Sequence, residues 1–356
     1  MRMTPVIRIF VFALGVALAS DCVAQNKKTG SKSGTGSAKK LMTPRTLATI
    51  DRGLQNLVRT QNDDGSFGRY GAYQHNVGVA ALGGMALMAS GSHPDRGRYG
   101  KQVTRSVDFI LANSRPDGFI ISPGQNASHG PMYGHGFATL FLAEVYGSSP
   151  RDKDVRRALK NAVELIIKSQ NDDGGWRYQP RPFEADISVT VCQIMALRAA
   201  RNAGIAVPRE TVDRCTKYVK RCQNPNGGFR YRLASRPESE FPRSAASIVA
   251  LNTAGIYDGP EIQRGLSYLN SFVPRGRGVR YPTHYYYYGH YYAAQAMWQA
   301  GGDHWMRWYP AIRDQLVASQ EPDGAWRDRN ISDAYSTAMS LLVLQLPNNY
   351  LPIFQR

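Results

Sequence analysis

Six polar residues could do chemistry together: His75, His135, Asp186, Arg243, His290 and Asp333 stand one apiece at the openings of six apolar segments. Gathered at one end of a barrel, three imidazoles, two carboxylates and a guanidinium could shuttle protons or hold a divalent cation. His290 and Asp333 are the metal-ligating candidates. The same residue types have a plainer use. Asp186 and Asp333 fall where helix N-caps are wanted, and a capping carboxylate stabilises its helix by about 1 kcal/mol with no part in catalysis. A second concentration of chemistry is the stretch 284–298, where six tyrosines and two histidines fall within nine residues. Buried phenols all need partners, so part of this stretch is expected to face a cavity or its rim. Tyr288 and Tyr291 would be joined there by Tyr133, and the rim by Tyr70, Tyr73, Tyr178, Phe183 and Tyr335. Such walls suit sugar rings, by stacking, as well as isoprenoid chains.

The elements that must position these residues follow from a recurring phrase. Gln61-Asn-Asp-Asp-Gly-Ser-Phe67, Gln170-Asn-Asp-Asp-Gly-Gly-Trp176, Gln223-Asn-Pro-Asn-Gly-Gly-Phe229 and Gln320-Glu-Pro-Asp-Gly-Ala-Trp326 are good copies. Ser114-Arg-Pro-Asp-Gly-Phe119 and Phe272-Val-Pro-Arg-Gly276 are degenerate ones, and the six together have a period of about 50 residues, the mark of a repeat architecture. Before each copy lies an amphipathic segment; in 154–170 the apolar residues Val155, Leu159, Ala162, Val163, Ile166 and Ile167 keep helical spacing. After each copy lies a segment apolar nearly all round, such as 187–200 or 334–346, which reads as a buried helix. Asp-Gly and Asn-Gly supply the positive φ that ends the first helix and turns the chain back, the following aromatic packs between hairpins, and the Gln bonds backbone there. One hairpin cannot bury both faces, so six must stack. The expected fold is all-α, a single (α/α)6 toroid over residues 44–346 with a C-terminal tail at 347–356.

The phrase and its period resemble the repeats of squalene and hopene cyclases and of protein prenyltransferase β subunits, the prenyltransferase/squalene oxidase repeat family. The resemblance implies site residues at the mouth-facing starts of the inner helices. Hopene-type cyclases protonate an alkene there with an Asp-x-Asp-Asp motif inside an aromatic pocket that stabilises carbocations. The matching residues here are Glu184-Ala-Asp186-Ile-Ser188, which aligns Asp186 with the proton-giving aspartate, with Glu184 replacing the first aspartate and Ile187 the third. The acid motif is thus incomplete. No Asp-x-Cys stands at an inner-helix start, so zinc prenyltransferase chemistry is not expected, and without Gly-Cys-Gly-Glu-Gln neither is a thioester domain.

Composition bounds the setting. Arg2 and Arg8, the apolar run 9–19 and Cys22-Val23-Ala24 read as a secretory signal, residues 1–24, because the run is too short to span a membrane. A lipoprotein signal would want a small residue where Asp21 precedes Cys22. Residues 25–43 read as a basic Gly/Ser/Lys tether. Seven Lys or Arg and one Asp among residues 1–40 take +6 of the net charge of +17, leaving +11 for the rest, a field that favours anionic partners. No basic helix with interleaved aromatics suggests nucleic acid. Cleavage would leave Cys192, Cys215 and Cys222; the last two lie two turns apart on one helix, too far to bridge, so all three read as buried small hydrophobes. The function expected is an exported, periplasmic or extracellular monomer that binds an isoprenoid or an anionic polysaccharide or envelope ligand at the toroid mouth, with no cofactor. Two alternatives stand beside it: a terpenoid cyclase with Asp186 as proton donor, and a polysaccharide lyase or hydrolase using Arg243 with a His or Tyr base.

Overall fold

The structure, a computed structural model, describes residues 38–68, 73–123, 130–276 and 285–355. The expected signal segment, the tether up to residue 37, Tyr70 and His284 lie outside the described residues.

Helices alternate between two layers. The outer ones are α1 (Pro44–Thr60), α3 (Gly100–Ala112), α5 (Asp152–Lys168), α7 (Arg209–Arg221), α9 (Pro260–Asn270) and α11 (Gly302–Ser319). The inner ones are α2 (Val77–Met88), α4 (Pro131–Val145), α6 (Ile187–Asn202), α8 (Phe241–Thr253), α10 (Tyr286–Ala300) and α12 (Asp333–Gln345). The sequence patterns explain the layering. α5 buries only Val155, Leu159, Ala162, Val163 and Ile166, one stripe, whereas every residue of α2 is buried. Each inner helix packs on the next, and α12 packs on α2, so the inner ring closes. No strand occurs among the described residues, only isolated bridges such as Gln61 to Phe67 and Gln223 to Phe229.

The recurring phrase is the joint between repeats. In it Gln170 Nε2 donates to Gly174 O inside its own turn (2.8 Å) and to Thr211 O in the next outer helix (2.9 Å). Gln61 does the same to Gly65 O and Gln102 O, and Gln223 to Gly227 O and Glu261 O. Gln320 closes the ring: its amide donates to Gly324 O and, back at the first outer helix, to Thr49 O (2.9 Å). The joint requires glycine for two reasons. Gly174 has φ +100°, and a Cβ there would lie 2.3 Å from Arg214 O on the next outer helix. The aromatic that follows is sealed in: Trp176 Nε1 donates to Ile166 O (2.7 Å) and Trp326 Nε1 to Leu316 O (2.9 Å). Each also donates its backbone N–H to a hydroxyl in the first turns of its inner helix, Thr190 and Thr337 respectively. In the degenerate fifth joint an aromatic stands in for the amide, as Phe272 stacks on Phe241 (5.1 Å between centroids) and meets Tyr268 at a tilt.

Both ends of the folded body extend beyond 44–346. Residues 38–43, assigned to the tether from composition, already belong to it: Ala38 is buried, Leu41 and Met42 pack on the core, Arg313 donates to Leu41 O, and Thr43 caps α1. The apolar side chains of Ala38, Leu41 and Met42 give this segment its burial. After α12 two short 3-10 turns bring Leu351 and Phe354 under the C-terminal ends of the inner helices, where both are buried. Gln299 donates to Phe354 O and Asn348 to Ala89 O. Cys192, Cys215 and Cys222 are free and buried, as their spacing predicts.

Candidate functional site

The opposite end, at the inner-helix N-termini, holds a cavity of about 480 Å3, within the usual size of small-molecule sites. All six inner helices or their entry segments line it. Its apolar surface comes from Val79, Leu82, Pro131, Phe137, Pro242 and Ile331; its aromatic surface comes from Tyr73, Tyr133, Tyr178, Tyr231, Tyr285, Tyr288 and Tyr335. α2 and α4 approach closely here because both carry glycine: a Cβ on Gly78 would stand 2.9 Å from the Gly134 Cα.

Two of these tyrosines owe their place to the joint. After Trp176 and Phe229 the chain continues as Arg-Tyr, extended beside the inner-helix starts. Met132 N donates to Tyr178 O (3.1 Å) and Ile187 N to Tyr231 O (3.1 Å). The two hydroxyls meet at 2.6 Å, so a pair of phenols from successive repeats spans one side of the cavity. Tyr231 escaped the sequence reading, as did Asp328, which follows Trp326 by the same two residues and also lines the wall. The position two residues beyond the phrase's aromatic was the signal that would have found both.

Asp186 is the N-cap of α6. Its Oδ1 accepts from Val189 N (2.9 Å) and its N–H donates to Trp176 O, and the residue is 0 % exposed. Burial pushes its carboxyl up to about 6, against the pull of the Val189 amide, the Tyr231 hydroxyl and the Arg177 guanidinium. Oδ2 stands 3.8 Å from Arg177 Nε, outside hydrogen-bond range. Glu184 does not share that burial; it is clamped by ion pairs to Arg177 and Arg232, the latter at 2.6 Å. The Glu184-Ala-Asp186 segment therefore combines a neutralised outer carboxylate with a buried inner one. Tyr231, not Asp186 itself, presents the neighbouring surface to the cavity.

The six-residue mouth ring does not assemble. Arg243 alone of the six lines the cavity, and its guanidinium is committed to Phe229 O (3.2 Å), Glu238 O (3.0 Å) and Glu240 (3.2 Å). The uronate-binding role expected of it thus lacks a free guanidinium. His75 precedes the true N-cap, Asn76, and its Nδ1 sits 2.8 Å from both Asp64 Oδ2 and Ser66 Oγ in the first joint. Asp333 is one residue past the cap Ser332 and is paired with Arg327 (2.6 Å). His135 and His290 stand five residues past the caps Gly130 and Tyr285, far enough along to face the outer layer. His135 accepts from Ile120 N (3.2 Å), the duty of Thr190 and Thr337 elsewhere, and burial lowers its pKa to about 4. His290 is packed among Phe241, Tyr286 and Trp308, with ring centroids 4.9, 4.4 and 5.8 Å away, and burial lowers its pKa to about 3. His290 and Asp333 thus occupy different surroundings, and no group of three His, Cys, Asp or Glu side chains able to hold a metal occurs among the described residues.

The tyrosine-rich stretch divides. Tyr288 lines the cavity, its hydroxyl donating to Ser188 O (2.9 Å). Tyr291 does not line it but packs between Phe137 and Phe354, linking the cavity floor to the C-terminal segment. Phe183, expected on the rim, is instead 85 % exposed in the loop before α6. Tyr133, Tyr73, Tyr178 and Tyr335 are where the aromatic reading put them.

Comparison with known proteins agrees with this architecture. Residues 81–264 match the family described as the prenyltransferase alpha-alpha toroid domain. A drimenyl diphosphate synthase of Streptomyces showdoensis is 29% identical over 188 residues, 52% of this chain and 32% of that protein. One of Streptantibioticus cattleyicolor is 26% identical over 270 residues, 71% of this chain and 46% of that protein, so the chain spans less than half the length of either. Among solved structures, the type II terpene cyclase MstE of Scytonema with geranylgeranyl dihydroxybenzoate superposes with a TM-score of 0.58 at 16% identity, covering 88% of this chain and 99% of that one. An inactive variant of a Salegentibacter α-1,6-mannanase with α-1,6-mannotriose gives 0.61 at 9% identity, covering 85% and 99%. At such identities the superpositions establish the fold alone.

Proposed function

Given that the chain belongs to the prenyltransferase alpha-alpha toroid family, we propose that it is an exported toroid whose mouth cavity binds an isoprenoid chain. The observation that carries this reading is the wall: a deep pocket of Val, Leu, Ile, Pro and Phe side chains with seven tyrosine rings, entered from the inner-helix N-termini. Apolar burial drives a hydrocarbon chain in, and the rings pack along it. Native mass spectrometry of the exported protein, before and after denaturation, tests the proposal. A retained isoprenoid mass, or uptake of an added prenyl chain that competes with an apolar dye, supports it. An empty toroid that takes up no such chain but retains an oligosaccharide removes it.

Asp186 favours a second reading, a cyclase. It aligns with the proton-giving aspartate of the resembling cyclases, and burial raises its pKa to about 6, which keeps a proton on it in mildly acidic surroundings. A carboxyl with a raised pKa is a weak acid for attacking an isolated alkene, and its oxygens stand behind Tyr231. Binding therefore comes first. Incubation with squalene from pH 4 to 8 decides: a cyclised product abolished by Asp186→Asn establishes the enzyme, and no product at any pH ends that reading.

A further inference from the structure

The charge and hydrogen-bonding state of the wall narrow the ligand further, on the premise that the cavity takes an isoprenoid. The curated relatives bear a diphosphate in their name, and a diphosphate needs uncommitted cations or free amides. The described wall offers the reverse. Its charged side chains are Glu240, Arg243 and Asp328. Arg243 is spent on two backbone carbonyls and Glu240. Asp328 accepts from Asn330 N and Ile331 N, both at 2.8 Å, and its carboxyl belongs to the pocket lining. A diphosphate would meet two carboxylates and no uncommitted cation among the described lining residues.

The wall does hold uncommitted neutral polar groups. Tyr335 is 7 % exposed, and while its backbone N–H donates to the Ser332 hydroxyl, its own hydroxyl makes no hydrogen bond. The Tyr133 hydroxyl likewise has none, while its ring packs on Tyr178. Tyr288 lies electrostatically close to both. A phenol without a protein partner leaves hydrogen-bonding capacity open to a ligand, and both of these, Tyr335 buried and Tyr133 half-buried, belong to the cavity wall. We infer that the ligand is an uncharged isoprenoid bearing a hydroxyl or carbonyl oxygen, held by Tyr133 and Tyr335, and not a prenyl diphosphate.

Equilibrium dialysis of the full exported chain with radiolabelled farnesol, farnesyl diphosphate and the hydrocarbon farnesene tests this. Farnesol should bind at least about tenfold tighter than farnesyl diphosphate. One hydrogen bond is worth about threefold to tenfold in affinity, so Tyr133→Phe and Tyr335→Phe should each weaken farnesol by that factor. Farnesene binding should not change in either variant, which also certifies that the pocket is intact. Farnesyl diphosphate binding as tightly as farnesol or tighter overturns the inference and leaves the isoprenoid cavity standing. So does a double variant that keeps wild-type farnesol affinity. Failure of all three probes overturns the cavity reading itself, and the inference with it.

Discussion

Replacing Asp186 with Asn should make the protein more stable, and by an amount that depends on pH. The carboxyl has a pKa near 3.8 in an unfolded chain and about 6 in the folded one. The folded state therefore binds more protons than the unfolded state between those values, and stability falls as pH rises through the interval and levels off above it. The gap of about 2 pH units amounts to about 3 kcal/mol at neutral pH, carried as the cost of holding a buried charge. Asparagine keeps an oxygen able to accept from Val189 N, so the helix cap survives. It gives up the attraction of Arg177 for Oδ2, a weak term at 3.8 Å without a hydrogen bond. The linkage relation makes the advantage of Asp186→Asn about 1 kcal/mol at pH 4.5, growing to at most about 3 kcal/mol at pH 7.5. Urea unfolding followed by tryptophan fluorescence, wild type against variant at four pH values, measures it directly. Comparing the two proteins at each pH cancels every other titrating group. An advantage that stays flat with pH, or a variant less stable than wild type at pH 7.5, would refute the assignment of burial as the dominant influence on this carboxyl.

Three further outcomes are expected. Because burial lowers the His290 pKa to about 3, the folded state binds fewer protons than the unfolded one from about pH 6.5 down, and stability is lost as pH falls through that range. His290→Phe should flatten that acid limb in the same urea titration and leave metal content by mass spectrometry unchanged. Gly174→Ala combines φ +100° with a Cβ 2.3 Å from Arg214 O and should cost more than about 3 kcal/mol or prevent folding, whereas Gly147→Ala, φ +84° with nothing within 4 Å, should cost only about 1–2 kcal/mol by thermal unfolding. Gln320→Ala removes the hydrogen bonds to Thr49 O and Gly324 O and should cost about 1–3 kcal/mol, with hydrogen exchange quickening in α1 and α11; slow exchange equal to wild type would show that the seam does not depend on it.

The toroid was legible because its information is local and repeated. Gln, Asp-Gly and an aromatic each do one job at a fixed offset, and the apolar segments alternate between one buried stripe and burial all round. The tyrosine wall was legible in kind for the same reason, since so many phenols in apolar segments need a shared polar space. The mouth ring was not. It rested on aligning residues that, counted from the true caps, run from one before (His75) to five after (His135, His290), and each residue of slip turns a side chain by about 100° around the helix. That rotation took both histidines from the mouth to the seam with the outer layer. Tyr231 was missed for the opposite reason: the extended arms that carry Tyr178, Tyr231 and Asp328 to the cavity have no helical periodicity to announce them.

The Gln320 seam has a consequence for how such a chain can change. An open solenoid presents two raw ends, needs special terminal units to cover them, and can lengthen or shorten by whole units while every remaining interface survives. Here the last joint is chemically the same as those at Gln61, Gln170 and Gln223 but lands on the first outer helix, 271 residues back. No unit is terminal, and removing or duplicating one would leave two half-joints facing each other across a gap they could not span. The number six is therefore locked by geometry, and variation is pushed into the arms and turns between helices. New chain ends could be cut into those connections and the old ones joined, because to the ring every joint is interior.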